Sequence, residues 1–135
     1  MSLLRTIERT AKAAKEASRA LSRASARKKN AALSAMAREL LRDTGRIMAA
    51  NRKDLRLAAA CGLPKAMVER LTLTEARIAE MARSVRALAS LADPCGSVDR
   101  RWRRPNGLLI SRVRVPIGVI GIIYESRPNV TADCA

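Results

Sequence analysis

The 135 residues suffice for one domain core, and six lysines and twenty-one arginines give a formal net charge of +15 with no histidine. The basic residues are scattered through Ala-rich stretches and Trp102 and Tyr124 are the only aromatics, so base stacking has almost nothing to work with and the charge reads first as a solvated basic surface. Cys61, Cys95 and Cys134 form an odd, widely spaced set without a histidine, which excludes a zinc site; with no apolar leader, they point to reduced thiols in a cytoplasmic protein, and no apolar run approaches the ~20 residues of a membrane span.

Leu4, Ile7, Ala11, Ala14 and Leu21 recur at helical spacing, which predicts an amphipathic helix from residue 3 to about 23. The basic, Ser- and Ala-rich start superficially imitates a transit peptide, but Glu8 and Glu16 argue against one. Ser25 is suited to cap a second helical stretch, along which Leu33, Met36, Ala37, Leu40, Ile47 and Met48 form an apolar stripe. Asp43-Thr44-Gly45 marks an interruption and restart, and Gly62 closes the stretch. Pro64 suits the first turn of a short helix through Leu71. Thr74 caps another, with Ile78, Met81, Val85, Leu88 and Leu91 facing inward and all three thiols read as packed or inert rather than nucleophilic.

Composition changes at Asp93-Pro94-Cys95-Gly96. Ser97–Arg103 and Leu108–Val115, joined through Pro105-Asn106-Gly107, predict a two-stranded hairpin whose arginines protect its edge. Ile117 to Tyr124 is apolar and rich in β-branched residues, as a strand buried on both faces of a parallel sheet should be. Glu125-Ser126-Arg127-Pro128-Asn129 follows as a turn and helix start. One such strand cannot satisfy its backbone groups, so the chain is expected to be the N-terminal part of something larger. Gly118 and Gly121 lie inside the strand and do not make a dinucleotide fingerprint.

The segment Pro116-Ile-Gly-Val-Ile-Gly-Ile-Ile-Tyr-Glu-Ser-Arg-Pro-Asn-Val-Thr closely resembles the γ-glutamyl phosphate reductases of the aldehyde dehydrogenase superfamily. The likeness extends upstream, in order, through Ala49–Leu55, Gly62–Leu71, Leu73-Thr74 and Leu91–Pro94, and is loosest from Ser97 to Asn106. It implies an α/β, aldehyde-dehydrogenase-like fold, of which this chain holds the N-terminal helices, a hairpin and the first core strand of an incomplete parallel sheet. The implied division is 1–92 as the helical part of a cofactor-binding domain, 93–115 as an oligomerisation hairpin, and 116–135 as strand, active-site loop and helix start.

The resemblance further implies NADPH-dependent reduction of γ-glutamyl phosphate to glutamate 5-semialdehyde and phosphate, in proline biosynthesis, through a thioester on a catalytic cysteine. That cysteine falls downstream of the matched region, and Cys134 is not its substitute, so the segment alone is expected to be inactive and to fold incompletely. Tyr124, Glu125 and Ser126 correspond to the strand end and turn that line the nicotinamide. Arg127 takes the place where the wider superfamily has its oxyanion-stabilising Asn, and Asn129 follows two residues later. The expectation is that Arg127 binds substrate phosphate or carboxylate and that Asn129 stabilises the oxyanion or fixes the loop, set against an exposed turn arginine and a helix-capping Asn. Homo-oligomerisation is implied for the full-length protein, with no nucleic-acid or membrane partner. The competing reading, from charge alone, is a small basic module that binds nucleic acid or an acidic protein; a reductase domain inside a bifunctional kinase and reductase is the third.

Overall fold

A computed structural model describes residues 2–134. Its elements, in chain order, are α1 (Leu3–Ser22), α2 (Ala26–Arg42), α3 (Thr44–Ala60), α4 (Lys65–Leu71), α5 (Glu75–Leu88), β1 (Val98–Arg103), β2 (Leu109–Val113) and α6 (Val130–Asp133). They fall into two compact units. One comprises α1 and Ala92–Gly121, and the other Arg27–Leu91 with Ile122 onward. No helix among the described residues is long and apolar enough to cross a membrane.

In the first unit, Ser2 caps α1, its side chain accepting from the Arg5 N–H at 3.4 Å. The apolar stripe predicted there exists but is not covered: Leu3, Leu4, Ile7 and Leu21 are all exposed. The hairpin follows prediction closely. Its strands pair antiparallel with Trp102 opposite Ile110, and the register shifts between Val98 and Arg100, leaving Asp99 at a bulge. There the Asp99 carboxylate receives Arg114 Nε at 2.7 Å and Arg112 Nε at 3.7 Å. Gly107, at φ 86°, returns the chain toward Leu108, whose N–H donates to Asn106 Oδ1 at 3.2 Å. Arg100 lies over the Trp102 ring, 5.5 Å from its centroid.

The second unit has the core. Ile78, Met81, Ala82 and Val85 are buried on one face of α5, at the i, i+3, i+4, i+7 spacing of a helix against a neighbour. Ala37 of α2 meets Ala82 and Val85, with Leu33, Met36 and Leu40 packed around them. Leu88 and Leu91, expected on the same face, are instead exposed. Leu88 is the last residue of α5, and beyond it the N–H groups of Ala89, Ser90 and Leu91 each bond three residues back, a tighter winding that turns Leu91 off the helical stripe.

Helix ends follow local chemistry. Thr74 accepts from the Arg77 N–H at 3.2 Å, as its N-cap position predicts. Gly62, at φ 66°, donates to Ala59 O, and Leu63 N–H to Ala58 O, the paired bonds of a Schellman ending that needs a left-handed residue. The link between α4 and α5 is held by Asn51 of α3, which is 4% exposed. Its amide donates to Leu71 O and its carbonyl accepts from Leu73 N–H, both at 2.8 Å.

Ile117–Tyr124, expected to be a buried strand, forms no strand among the described residues; Gly118 within it takes φ 104°, and its large apolar side chains are exposed. Burial on two faces requires neighbouring strands, and the described residues form only the β1–β2 sheet.

Candidate functional site

Tyr124 to Cys134 form a turn and short helix fastened by their own side chains. Tyr124 Oη and Thr131 Oγ1 lie 2.5 Å apart, tying the residue before the turn to α6. Asn129 Nδ2 donates to Asp133 Oδ2 at 2.8 Å. The backbone adds Val130 N–H to Arg127 O at 3.1 Å. Between these ties Ser126 takes φ 51°, a left-handed conformation that costs an L-residue about 1–2 kcal/mol and persists only where its flanks are fixed. Glu125 beside it is exposed.

Asn129 stands at the N-cap position of α6, yet its side chain makes no capping bond. The capping role considered from sequence is thus replaced by a tie across the helix to Asp133. Cys134, expected to be packed, is exposed, as are Cys61 and Cys95. Cys134 is the C-cap residue just past the end of α6, and Ala132 is the residue of that helix that packs against the core.

Arg127, Pro128, Asn129 and Asp133 form part of a cavity of about 460 Å³. The end of α4 contributes Arg70, the link contributes Thr72, and α5 contributes Arg77, Glu80 and Ser84. Three guanidinium groups therefore share one concavity with two carboxylates, an arrangement suited to an anionic or zwitterionic ligand. Arg77 is partly committed to structure, because its Nη1 donates to Glu69 O at 3.0 Å and Thr72 O at 2.5 Å, satisfying carbonyls at the α4 end. The structure thus brings Arg127 and Asn129 together, while Tyr124, Glu125 and Ser126 lie outside the cavity lining. None of the three cysteines lines it either.

Sequence reasoning missed Arg70, Arg77 and Glu80. In a chain this rich in arginine no local signal separates them, and only the packing of α4, α5 and the 127–133 segment does so. A second cavity, about 590 Å³, is lined chiefly by apolar residues including Met36, Leu40, Ile47 and Met81. It adjoins the core and lacks an arginine, so the smaller, polar cavity is the better candidate for ligand chemistry.

No family model matches the chain. It is similar to the γ-glutamyl phosphate reductase of Thermoanaerobacter sp. (strain X514), with 49% identity over 129 residues, covering 96% of this chain and 31% of that protein. Its likeness to the γ-glutamyl phosphate reductase of Clostridium novyi (strain NT) is 53% identity over 126 residues, covering 93% of this chain and 30% of the relative. The crystal structure of the Thermotoga maritima γ-glutamyl phosphate reductase superposes with a TM-score of 0.86 at 45% identity, over 92% of this chain and 30% of that one. For the Saccharomyces cerevisiae γ-glutamyl phosphate reductase the TM-score is 0.82 at 31% identity, over 99% of this chain and 33% of that one. The chain thus spans about a third of the length of these relatives, and the resemblance stated from its sequence holds along nearly all of it. The helices and two-stranded sheet match that fold in its N-terminal part.

Proposed function

We propose that this chain supplies the substrate-facing loop and its helical support in a γ-glutamyl phosphate reductase, which reduces γ-glutamyl phosphate with NADPH to glutamate 5-semialdehyde and phosphate in proline biosynthesis. The observation that carries this reading is the fastened turn that delivers Arg127 and Asn129 to one polar cavity. Arg127 offers a planar, permanently charged fork to the phosphoryl group. Asn129 has two amide hydrogens; one is held by Asp133, which orients the group and leaves the other for a developing oxyanion. Such a donor serves best when it is fixed before the reaction.

NADPH, when bound, supplies the hydride. The chain's own turn suits its nicotinamide end: Tyr124 is 45% exposed while its hydroxyl is tied to Thr131, so the ring offers a flat contact, and Glu125 and Ser126 add polar groups beside it. The nucleophilic thiol is not assigned to Cys61, Cys95 or Cys134, none of which reaches the cavity. It belongs to the remaining two thirds of a reductase, and the segment alone is inactive. The β1–β2 hairpin serves homo-oligomerisation of the complete enzyme.

A chimera tests this, with residues of this chain replacing the matching segment of the Clostridium novyi relative. Phosphate-dependent reduction of NADP⁺ by glutamate 5-semialdehyde is expected in the chimera, with Arg127→Ala raising the KM for phosphate and Asn129→Ala lowering kcat. An active chimera with unaltered kinetics in both variants would remove the roles given to this loop.

A further inference from the structure

We infer that Arg70 and Glu80 form the subsite for the α-amino-acid head of the substrate, with Arg70 receiving the α-carboxylate and Glu80 the α-ammonium. This rests on the reductase reading above, and it gives a use to the part of the cavity that Arg127 and Asn129 leave unassigned. γ-Glutamyl phosphate carries a phosphoryl group at one end and a zwitterionic amino-acid head at the other. A site for it needs two cationic positions and one anionic position. The cavity offers those: Arg127 for the phosphoryl group, Arg70 for the carboxylate, and a carboxylate for the ammonium. Of the two acidic residues lining it, Asp133 is already bonded to Asn129, which leaves Glu80. Arg77 is partly committed, its Nη1 bridging Glu69 O and Thr72 O, which makes Arg70 the better placed cation for the carboxylate. That bridge fixes the chain on both sides of Arg70 and so holds the α4 end against α5, where Glu80 resides. The cavity, about 460 Å³, is of the size that small-molecule sites have.

The chimera with the Clostridium novyi relative separates the two ends of the substrate, because in the reverse direction phosphate and the aldehyde are distinct reactants. Arg70→Ala is expected to raise the KM for glutamate 5-semialdehyde about ten- to a hundredfold while leaving that for phosphate unchanged, the loss of one charge-assisted contact. Glu80→Gln is expected to raise the KM for the same aldehyde but not for 5-oxopentanoate, which has no amino group. An unaltered KM for the semialdehyde in Arg70→Ala, or equal effects of Glu80→Gln on both aldehydes, would overturn the assignment while leaving the reductase reading standing. If the parent chimera is inactive, the reductase reading fails and the subsite is judged on the 135-residue chain. There, L-glutamate should shift the Nε–Hε resonance of Arg70, and absence of a shift overturns the subsite too.

Discussion

Asn51 is the residue whose replacement should damage the candidate site most from a distance. It lies on α3, does not itself line the polar cavity, and holds the α4–α5 link through Leu71 O and through the N–H of Leu73, which with Thr72 lines that cavity. In Asn51→Ala two backbone groups lose their partners together. Leu73 N–H is buried and Leu71 O partly so, which sets the expected cost at about 2 kcal/mol for the first and about 1 kcal/mol for the second. Asn51→Asp is no remedy: a carboxylate can accept from Leu73 N–H but faces Leu71 O at 2.8 Å with no proton to give. Amide hydrogen exchange reads the effect locally. Leu73 should exchange about thirtyfold faster in Asn51→Ala, whereas Ile78 N–H, bonded to Thr74 O within the start of α5, should change far less. Equal protection of Leu73 in parent and variant would refute the assignment of Asn51 as the clamp.

Gly62→Ala puts a Cβ on a residue at φ 66°, with no atom within 4 Å to clash, so its cost is the backbone penalty alone, about 1 kcal/mol in chemical denaturation. Gly45→Ala, in α3 and equally uncrowded, should instead stabilise by about 0.5 kcal/mol. Asp99→Asn removes both ion pairs of the hairpin bulge; because the arginine partners are largely exposed, the loss should stay under about 1 kcal/mol and shrink further in high salt. Tyr124→Phe cuts the tie to Thr131, and ¹⁵N relaxation should show lower order parameters at residues 125–127 with little change in the unfolding midpoint.

What the sequence made legible was what is decided within a few residues. The Thr74 cap, the Gly62 ending, the break at Asp43 and the Asn106-Gly107 turn each depend on local backbone and side-chain preferences acting over less than two helical turns. The α5 stripe was legible through Val85 for the same reason. Asn51 was not, because its partners are 20 and 22 residues away and an Asn on an amphipathic helix is ordinarily a surface residue. The cavity arginines were illegible for a different reason. Arg70 and Arg77 look like every other arginine in a chain with a net charge of +15, and only the return of residues 127–133 to α5 sets them apart.

The exposed Ile117–Tyr124 segment shows how the two kinds of information differ. Its β-branched run carries a strand preference, yet without neighbours the segment forms no strand. Burial is a different property, since each backbone N–H and C=O removed from water needs a partner that another strand must bring. Ile123, at 103% exposure, and Ile117, at 87%, therefore mark side chains whose sequence is written for an interior that the described residues do not form. The loop that follows is not in the same position. Its fastening is internal, through Tyr124–Thr131 and Asn129–Asp133, so Arg127 and Asn129 reach the cavity whether or not the strand before them is paired. It follows that strand pairing and loop geometry can be perturbed separately: Ile120→Asp should disrupt a sheet assembled around the segment in the chimera, while leaving the Asn129–Asp133 contact of the isolated chain as it is.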